Sequence, residues 1–331
     1  STENIWKNFA VWAVLKGIEL PDWKQLQGVP ARRIKGRFDD LQKIRVFKES
    51  IPDWLDALCV KELGAAHWSK EIRALNEQAP VVLRTNTLKI DRLLLQRKLA
   101  EEGIETAVLD TYPDALQLVE RANVFQTACF KQGFFEMQDA SSQQVAAMLD
   151  VKPGMRVIDT CAGAGGKTLH LAALMENKGQ LIATDLYESK LKKLKIRARR
   201  AGVHNVTTRP ITTQKVMKKL HNTADAVLID APCSGIGVLK RNPDSKWKLQ
   251  ADFVANIIKT QADILENYAK LVKVNGQVVY ATCSILPSEN EHQIAAFLKN
   301  NPHFDFVKEQ KVSAYKSGFD GFYMALLKRV K

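Results

Sequence analysis

Two cysteines, an aspartate and a glycine-rich loop are the residues of this chain best suited to chemistry. Cys233 stands in Asp230-Ala-Pro-Cys233-Ser-Gly, directly after the apolar run AVLID, and Cys283 in Thr282-Cys283-Ser284, directly after VVYA. A lone cysteine just past a strand is more often a small buried hydrophobe than a reagent. Two of them, each followed by serine and each ending a predicted strand, point to one thiol-lined pocket. A redox pair is disfavoured because no C-x-x-C occurs. Zinc is disfavoured because no other Cys or His stands at ligand spacing beside either thiol, so no metal site is expected. A thiolate adding to carbon 6 of a pyrimidine makes the ring an enamine, nucleophilic at carbon 5, and this is covalent catalysis. Asp230 is placed to hold the ring nitrogen and exocyclic amine as charge develops. A second thiol suits the later loss of the carbon-5 proton and expulsion of the first. Which cysteine plays which part stays open on these grounds.

The loop Cys161-Ala162-Gly163-Ala164-Gly165-Gly166-Lys167-Thr168 follows a strand ending at Asp159 and opens a helix. Its glycines permit a tight turn and close backbone approach, and the helix start offers free N–H groups. A Walker A loop needs glycine where Cys161 stands, and a dinucleotide fingerprint needs glycine where Thr168 stands. The G-x-G-G loop therefore suits a ligand without a pyrophosphate. Asp185, ending the strand LIATD, is placed to accept hydrogen bonds from ribose hydroxyls. S-adenosylmethionine meets both conditions.

These groups need a frame. MRVIDT, QLIATD, VTTRP, DAVLID and GQVVYATC are five short apolar runs separated by helical stretches such as KTLHLAALMENKG and FVANIIKTQADILENYAKLV. Strands alternating with helices predict an α/β fold with a parallel, doubly wound sheet whose ligands sit at the carboxyl strand ends. Upstream, residues 1–78 read as short helices, with Ile51, Trp54, Leu55, Leu58 and Leu63 at helical spacing. Residues 79–130 read as a small α/β module, with the strand VVLRTN, the helix IDRLLLQRKLAEEG and short strands at TAVLD and ALQLV. Residues 131–331 then form the main domain.

With 49 Lys and Arg against 36 Asp and Glu, the chain carries a net charge of +13, which points to a polyanionic partner. Basic clusters lie at 190–200, 32–37, 218–219 and Lys240-Arg241, although such a run can equally be a solvated helix face. No apolar run approaches the roughly 20 residues needed to cross a bilayer. No signal pattern opens the chain, so a cytoplasmic monomer with reduced thiols is expected. The first residue is Ser rather than Met, which leaves room for natural residues upstream.

Taken together, PDWL, LRTNTLK, QDASS, CAGAGGKT, DAPCSGIGVLKRNPDSKW, YATCSILPSENE and GFYMALLKR resemble the Sun/Fmu-type RNA cytosine-5 methyltransferases, the RsmB- and RsmF-like group, from about Pro52 onward. The resemblance implies a class I, Rossmann-like methyltransferase domain using S-adenosylmethionine. It implies that Cys283 attacks and Cys233 aids release, that the loop 161–167 and Asp185 bind the cofactor, that Asp230 lies where cofactor and base meet, and that Lys167 is near the chemistry. It further implies that the small α/β module helps hold RNA, with Lys240, Arg241 and Lys246 supplying phosphate contacts beside a pocket for an unpaired or flipped cytosine. Ribosomal RNA is the expected target. Transfer RNA is one alternative, and an RNA-binding assembly factor with secondary or lost methylation activity is another. Two departures stand out. Gly163 and Ala164 replace the Ala-Pro usual in the family loop, and Ile211 or Thr212 occupies the place of an acidic residue near the adenine, leaving Arg209 or a backbone N–H to substitute. The family's NusB-type N-terminal domain is not expected in residues 1–50.

Overall fold

The structure, a computed structural model, describes residues 2–331. It divides into two compact units, residues 1–57 and 58–331, with the boundary inside the helix Asp53–Leu63. The first unit holds the helices Thr2–Lys16, Ala31–Leu41 and Arg45–Lys48. Trp6, Phe9, Trp12 and Trp23 form an aromatic cluster there, with the Trp6 and Trp23 rings edge to face at 5.7 Å. Arg45 grips Asp56 through two hydrogen bonds of 2.7 and 2.8 Å. The helix Ala31–Leu41 buries none of its side chains, so the basic cluster it carries is solvated.

The division differs from the expected boundary at residue 78. The helix Ala65–Leu75 buries Trp68, Ile72 and Leu75, and its Glu71 carboxylate accepts the backbone N–H groups of Ala314 and Tyr315. A buried acid satisfied by donors nearly at the far end of the chain commits this helix to the second unit.

Within that unit the small sheet has strands β1 (Val82–Thr85), β2 (Thr106–Val108), β3 (Ala115–Leu118) and β4 (Phe135–Met137) in the order β2-β3-β1-β4, all pairings antiparallel. Its helix, Arg92–Glu101, starts where the Asp91 side chain accepts from Leu94 N, and it buries Leu95 and Leu99 against Leu83, Leu116 and Phe135. β4 lies beyond the expected limit at residue 130. Three residues with mixed polarity, FEM, carry too little periodicity to announce a strand.

The large sheet contains β5 (Arg156–Asp159), β6 (Gln180–Asp185), β7 (Val206–Pro210), β8 (Ala224–Asp230), β9 (Val272–Thr282), β10 (Phe304–Val312) and β11 (Phe322–Arg329), in the order β10-β11-β9-β8-β5-β6-β7. The five strands read from the sequence are present and parallel to one another. β11 and β10 add an antiparallel pair, so the sheet is mixed rather than wholly parallel. β10 escapes sequence reading because it is an edge strand, FDFVKEQKV, exposed over most of its length, and charge at an edge discourages pairing with other chains.

Alternation along the central strands sends residues to two apolar layers. Val157, Ala226, Leu228, Val279 and Ala281 enter one, and Ile158, Val227, Ile229, Val278 and Tyr280 the other. The sheet is thus buried on both faces. The chain runs outward from β5 through β6 to β7, then returns to place β8 on the opposite side of β5. That reversal opens a crevice at the carboxyl ends of β5 and β8.

Candidate active site

A cavity of about 370 Å³ occupies this crevice. On one wall the chain leaves β5 through Thr160, whose N–H donates to Leu228 O, and turns so that Ala162 N donates to Thr184 O. Gly163 and Gly165 have φ of +55° and +92°. A Cβ on Gly165 would also lie 2.6 Å from Leu194 Cγ, so glycine is required there for both reasons. Two cations, Arg84 buried and Arg197 half-buried, hold the turn from behind: Arg84 Nη1 donates to Gly166 O at 2.6 Å and Arg197 Nη1 to Ala164 O at 2.8 Å. Burial pulls the Arg84 guanidinium down to about 10, against the pull of Glu136. Nothing in the segment LRTN marked Arg84 for this task, because its partner is a backbone oxygen on a distant loop.

Asp185 ends β6 with both carboxylate oxygens fixed, accepting from Gly163 N at 2.9 Å and Tyr187 N at 2.8 Å. At the end of β8, Asp230 pairs with Lys167 at 2.7 Å. Burial alone would lower the Lys167 ammonium, but Asp230 outweighs it, with smaller help from Cys283 and Asp159, and the net shift is upward. Behind them Asp159 is fully buried and accepts from Thr168 Oγ1 at 2.7 Å. Burial, reinforced by the Asp230 charge, pushes its carboxyl up to about 7.

The two cysteines meet: Cys233 Sγ and Cys283 Sγ are 3.2 Å apart, and both line the cavity. The Cys233 thiol is held well above its ordinary range, first by the hydrogen bond with Cys283, then by burial and the charge of Glu289. The third thiol on the wall, Cys161, is also pushed up, by burial, and so is a poor nucleophile.

Of the residues expected to hold a cofactor, Cys161, Gly163, Lys167, Asp185 and Asp230 line the cavity, whereas Ala162, Ala164, Gly165 and Gly166 form the turn behind it. The remaining wall is mostly apolar, with Leu186, Tyr187, Ile211, Ile264, Tyr268 and Phe322, and it also carries Lys190. Ile211 lines it as expected. The proposed substitutes for an acidic contact do not: Arg209 is not on the lining, and the N–H groups of Ile211 and Thr212 already donate to Asp185 O and Pro210 O.

A correction concerns the basic residues after the P-C-S loop. Lys240 is buried and donates to Gly318 O, Arg241 bridges Asp320 and Asp139, and Lys246 is buried and donates to Asn76 Oδ1. Their head groups tie this loop to other parts of the chain, with Lys240 and Lys246 buried and Arg241 still partly exposed. Sequence proximity to the cysteines was a poor guide, because a buried cation must be paired. Sequence reasoning also gave no role to Glu289, which is completely buried behind both cysteines. Among the described residues no cluster of His, Cys, Asp and Glu could hold a metal ion, and no helix is long and apolar enough to cross a membrane.

Residues 146–328 match the family described as 16S rRNA methyltransferase RsmB/F, and residues 51–125 match the ferredoxin-like domain described for RsmF/B-like methyltransferases. The chain is 34% identical over 309 residues to the probable ribosomal RNA small subunit methyltransferase B of Synechocystis sp., spanning 88% of this chain and 69% of that protein. It is 33% identical over 327 residues to the protein of the same description in Bacillus subtilis, spanning 92% and 71%. A solved methyltransferase homolog protein from Pyrococcus horikoshii shares the fold, with a TM-score of 0.77 over 88% of this chain and 99% of that one at 24% identity.

Proposed function

The chain belongs to the RsmB/F family of 16S rRNA methyltransferases, which depend on S-adenosylmethionine, and from that membership we propose that it methylates carbon 5 of a cytosine in small-subunit ribosomal RNA through a covalent bond to Cys283. The observation that carries this reading is the pair of thiols 3.2 Å apart, in one cavity with the Lys167–Asp230 pair. Methylation at a ring nitrogen or ribose oxygen needs no thiol; carbon 5 does, because the resting ring is too electron-poor there.

The residues present suit the cofactor. Asp185 offers fixed carboxylate oxygens for ribose hydroxyls, the turn at Gly163 permits close backbone approach, and the apolar wall at Leu186, Ile211, Ile264 and Tyr268 suits an adenine ring. Bound there, S-adenosylmethionine supplies an electrophilic methyl group. The Cys283 thiol gives up its proton to solvent, and the resulting thiolate forms a bond to carbon 6 of the cytosine. The C5=C6 π pair then moves through carbon 4 onto ring nitrogen 3, which takes a proton held at the Lys167–Asp230 pair. Asp230 accepts from the exocyclic amine. Carbon 5, now nucleophilic, gains the methyl group. Cys233 completes the cycle: it passes its own proton to the Cys283 sulfur as the S–C6 bond breaks and takes the proton from carbon 5. Nitrogen 3 returns its proton to Lys167 and Asp230. That Cys233 holds its proton well above the ordinary thiol range supports its part as the proton-bearing partner.

Replacing each cysteine separates these roles. Cys283→Ala is expected to abolish methylation of 16S rRNA. Cys233→Ala is expected to leave a protein–RNA adduct that survives a denaturing gel. An adduct that needs Cys233 and persists without Cys283 reverses the assignment, and unchanged methylation in both variants would falsify the mechanism. Bisulfite sequencing of ribosomal RNA from cells with and without the protein identifies the cytosine.

A further inference from the structure

Both neighbours of each reactive cysteine are tied to one short segment and one helix. Next to Cys233, Ser234 N donates to Glu289 Oε2 at 2.8 Å and Ser234 Oγ to Glu289 Oε1 at 2.5 Å. Next to Cys283, Ser284 Oγ donates to the same Glu289 Oε1 at 2.6 Å. On the other sides, Pro232 O accepts from Gln261 Nε2, which also donates to Glu289 Oε2 at 2.8 Å, and Thr282 Oγ1 donates to Asn290 Oδ1 at 2.5 Å. Asn290 Nδ2 returns to Ser284 O at 3.0 Å.

Glu289, which lies outside the two cysteine loops, is therefore bonded to both of them, and the Ser234 and Ser284 hydroxyls it holds are themselves 3.2 Å apart. Four donors converge on its two oxygens, which suits an acceptor-only carboxylate. Its own backbone is anchored by Tyr280 OH, donating to Glu289 O at 2.8 Å, and by Glu289 N, donating to Leu286 O at 3.0 Å. Glu289 is fully buried and does not line the cavity, so it acts only through the residues it holds. β8 and β9 are paired up to Asp230 and Ala281. Beyond that pairing Ala231 N donates to Ala281 O at 2.9 Å and Gly237 N to Cys283 O at 3.0 Å, so main-chain bonds bring the two loops together while the Glu289 ties act on the residue that follows each thiol.

We propose that Glu289 is a positioning residue that sets the separation of Cys233 and Cys283 by cross-linking Ser234 and Ser284. The inference rests on the covalent mechanism above for its consequence in catalysis, but its geometric content stands apart from it. A buried carboxylate shared by two loops resists small displacements, because leaving any donor unmatched is costly. Small displacements matter here, since a misplacement of about 1 Å can cost roughly a hundredfold in rate.

The test uses the full chain and two readouts. The first is phenylarsine oxide, whose trivalent arsenic bonds two neighbouring thiols at once with loss of water. Wild type should take up one equivalent, and Cys233→Ala or Cys283→Ala should not. The double variant Ser234→Ala, Ser284→Ala keeps both thiols and the Glu289 carboxylate yet loses the hydroxyl ties. It should capture the arsenical about tenfold more weakly while each cysteine still alkylates. The second readout is kinetic. In the double variant kcat should fall roughly tenfold to a hundredfold with the KM values for RNA and cofactor within about twofold of wild type, and the covalent adduct should accumulate because release needs both sulfurs in register. Glu289→Gln should recover most of the activity lost in Glu289→Ala, since the serine hydroxyls can turn to accept from its amide. Wild-type arsenical capture and kcat in the serine double variant overturn the proposal, as does a loss shared equally by kcat and both KM values. If Cys233→Ala traps no adduct while the serine variant loses arsenical capture, the covalent mechanism fails and the positioning role stands.

Discussion

The two ends of the active cleft are built by opposite means. At the thiol end almost every polar group has a partner: Lys167 with Asp230, Cys233 with Cys283, and Ser234, Ser284 and Gln261 with Glu289. At the other end Leu186 and Tyr187 are largely exposed, Ile211, Ile264 and Tyr268 supply apolar area, and the charged groups are the Asp185 anchor and Lys190, whose ammonium lies over the Tyr187 ring. The difference follows from what each end must do. Bond making needs atoms held within fractions of an ångström, which buried hydrogen-bonded networks provide. Holding an adenosine needs buried area and one or two directional contacts, which tolerate small shifts.

If that contrast is right, substitutions at the thiol end should act on kcat and those at the other end on cofactor affinity. After the cysteines themselves, the largest effect is expected for Asp230→Ala, which leaves Lys167 without its partner and removes a group facing the reacting ring. kcat should drop by about 10²–10³ with a smaller change in cofactor KM. A pure affinity effect in steady-state kinetics would break the contrast. Asp185→Ala should do the reverse, weakening cofactor binding about tenfold to a hundredfold, as expected for hydrogen bonds to a charged group, with kcat at saturation little changed. Calorimetric titration with S-adenosylhomocysteine reads this directly. Ile264→Ala should cost only a few-fold in the same titration, because it removes area and no anchor. A hundredfold loss would mean that the apolar wall positions the ligand rather than merely covering it.

The smallest expected effects concern two buried groups, Asp159 at the end of β5 and His170 in the helix Gly166–Leu174. Asp159 has a folded-state value of about 7 against an ordinary 3.8, so the native state binds the extra proton. Its contribution to stability is full below about pH 4 and is lost as the pH rises through about 7. His170 is depressed to about 4, first by burial and then by Arg84. The unfolded chain takes the proton there, so stability is full above about pH 6.5 and is lost as the pH falls toward 4. The two slopes oppose each other and partly cancel in the wild type. Asp159→Asn should remove the decline in melting temperature between about pH 4 and 7, and His170→Gln should remove the opposing rise. Parallel melting curves for both variants would show that neither group titrates in that range.

Much of the site was legible in the sequence because strand ends, glycine turns and residue chemistry are local. Cys161, Gly163, Asp185, Asp230, Cys233 and Cys283 could be placed at one sheet edge from the runs LIATD, AVLID and VVYA and the loop between Asp159 and Thr168. The intramolecular partners of Lys240, Arg241 and Lys246 are not legible from the same information. Whether a cation beside a loop faces solvent or folds back onto Asp320, Asp139 or Asn76 depends on partners 79 to 170 residues away. Arg84 and Glu289 were missed for the same reason: each acts on main-chain or side-chain groups of a remote segment, and no spacing rule encodes that.

The sequence by itself determined the reacting groups, the glycines that let the backbone turn, and the alternation that buries the sheet on both faces. These depend on residue type and on periods of two and 3.6, which a chain carries wherever it folds. Only the tertiary structure decided that the two thiols stand 3.2 Å apart, that two C-terminal strands pair antiparallel onto the sheet, and that one buried carboxylate spans both cysteine loops. Those are distances between groups far apart in the chain, and they are set when burial forces each polar atom to find whichever partner the packing brings within reach.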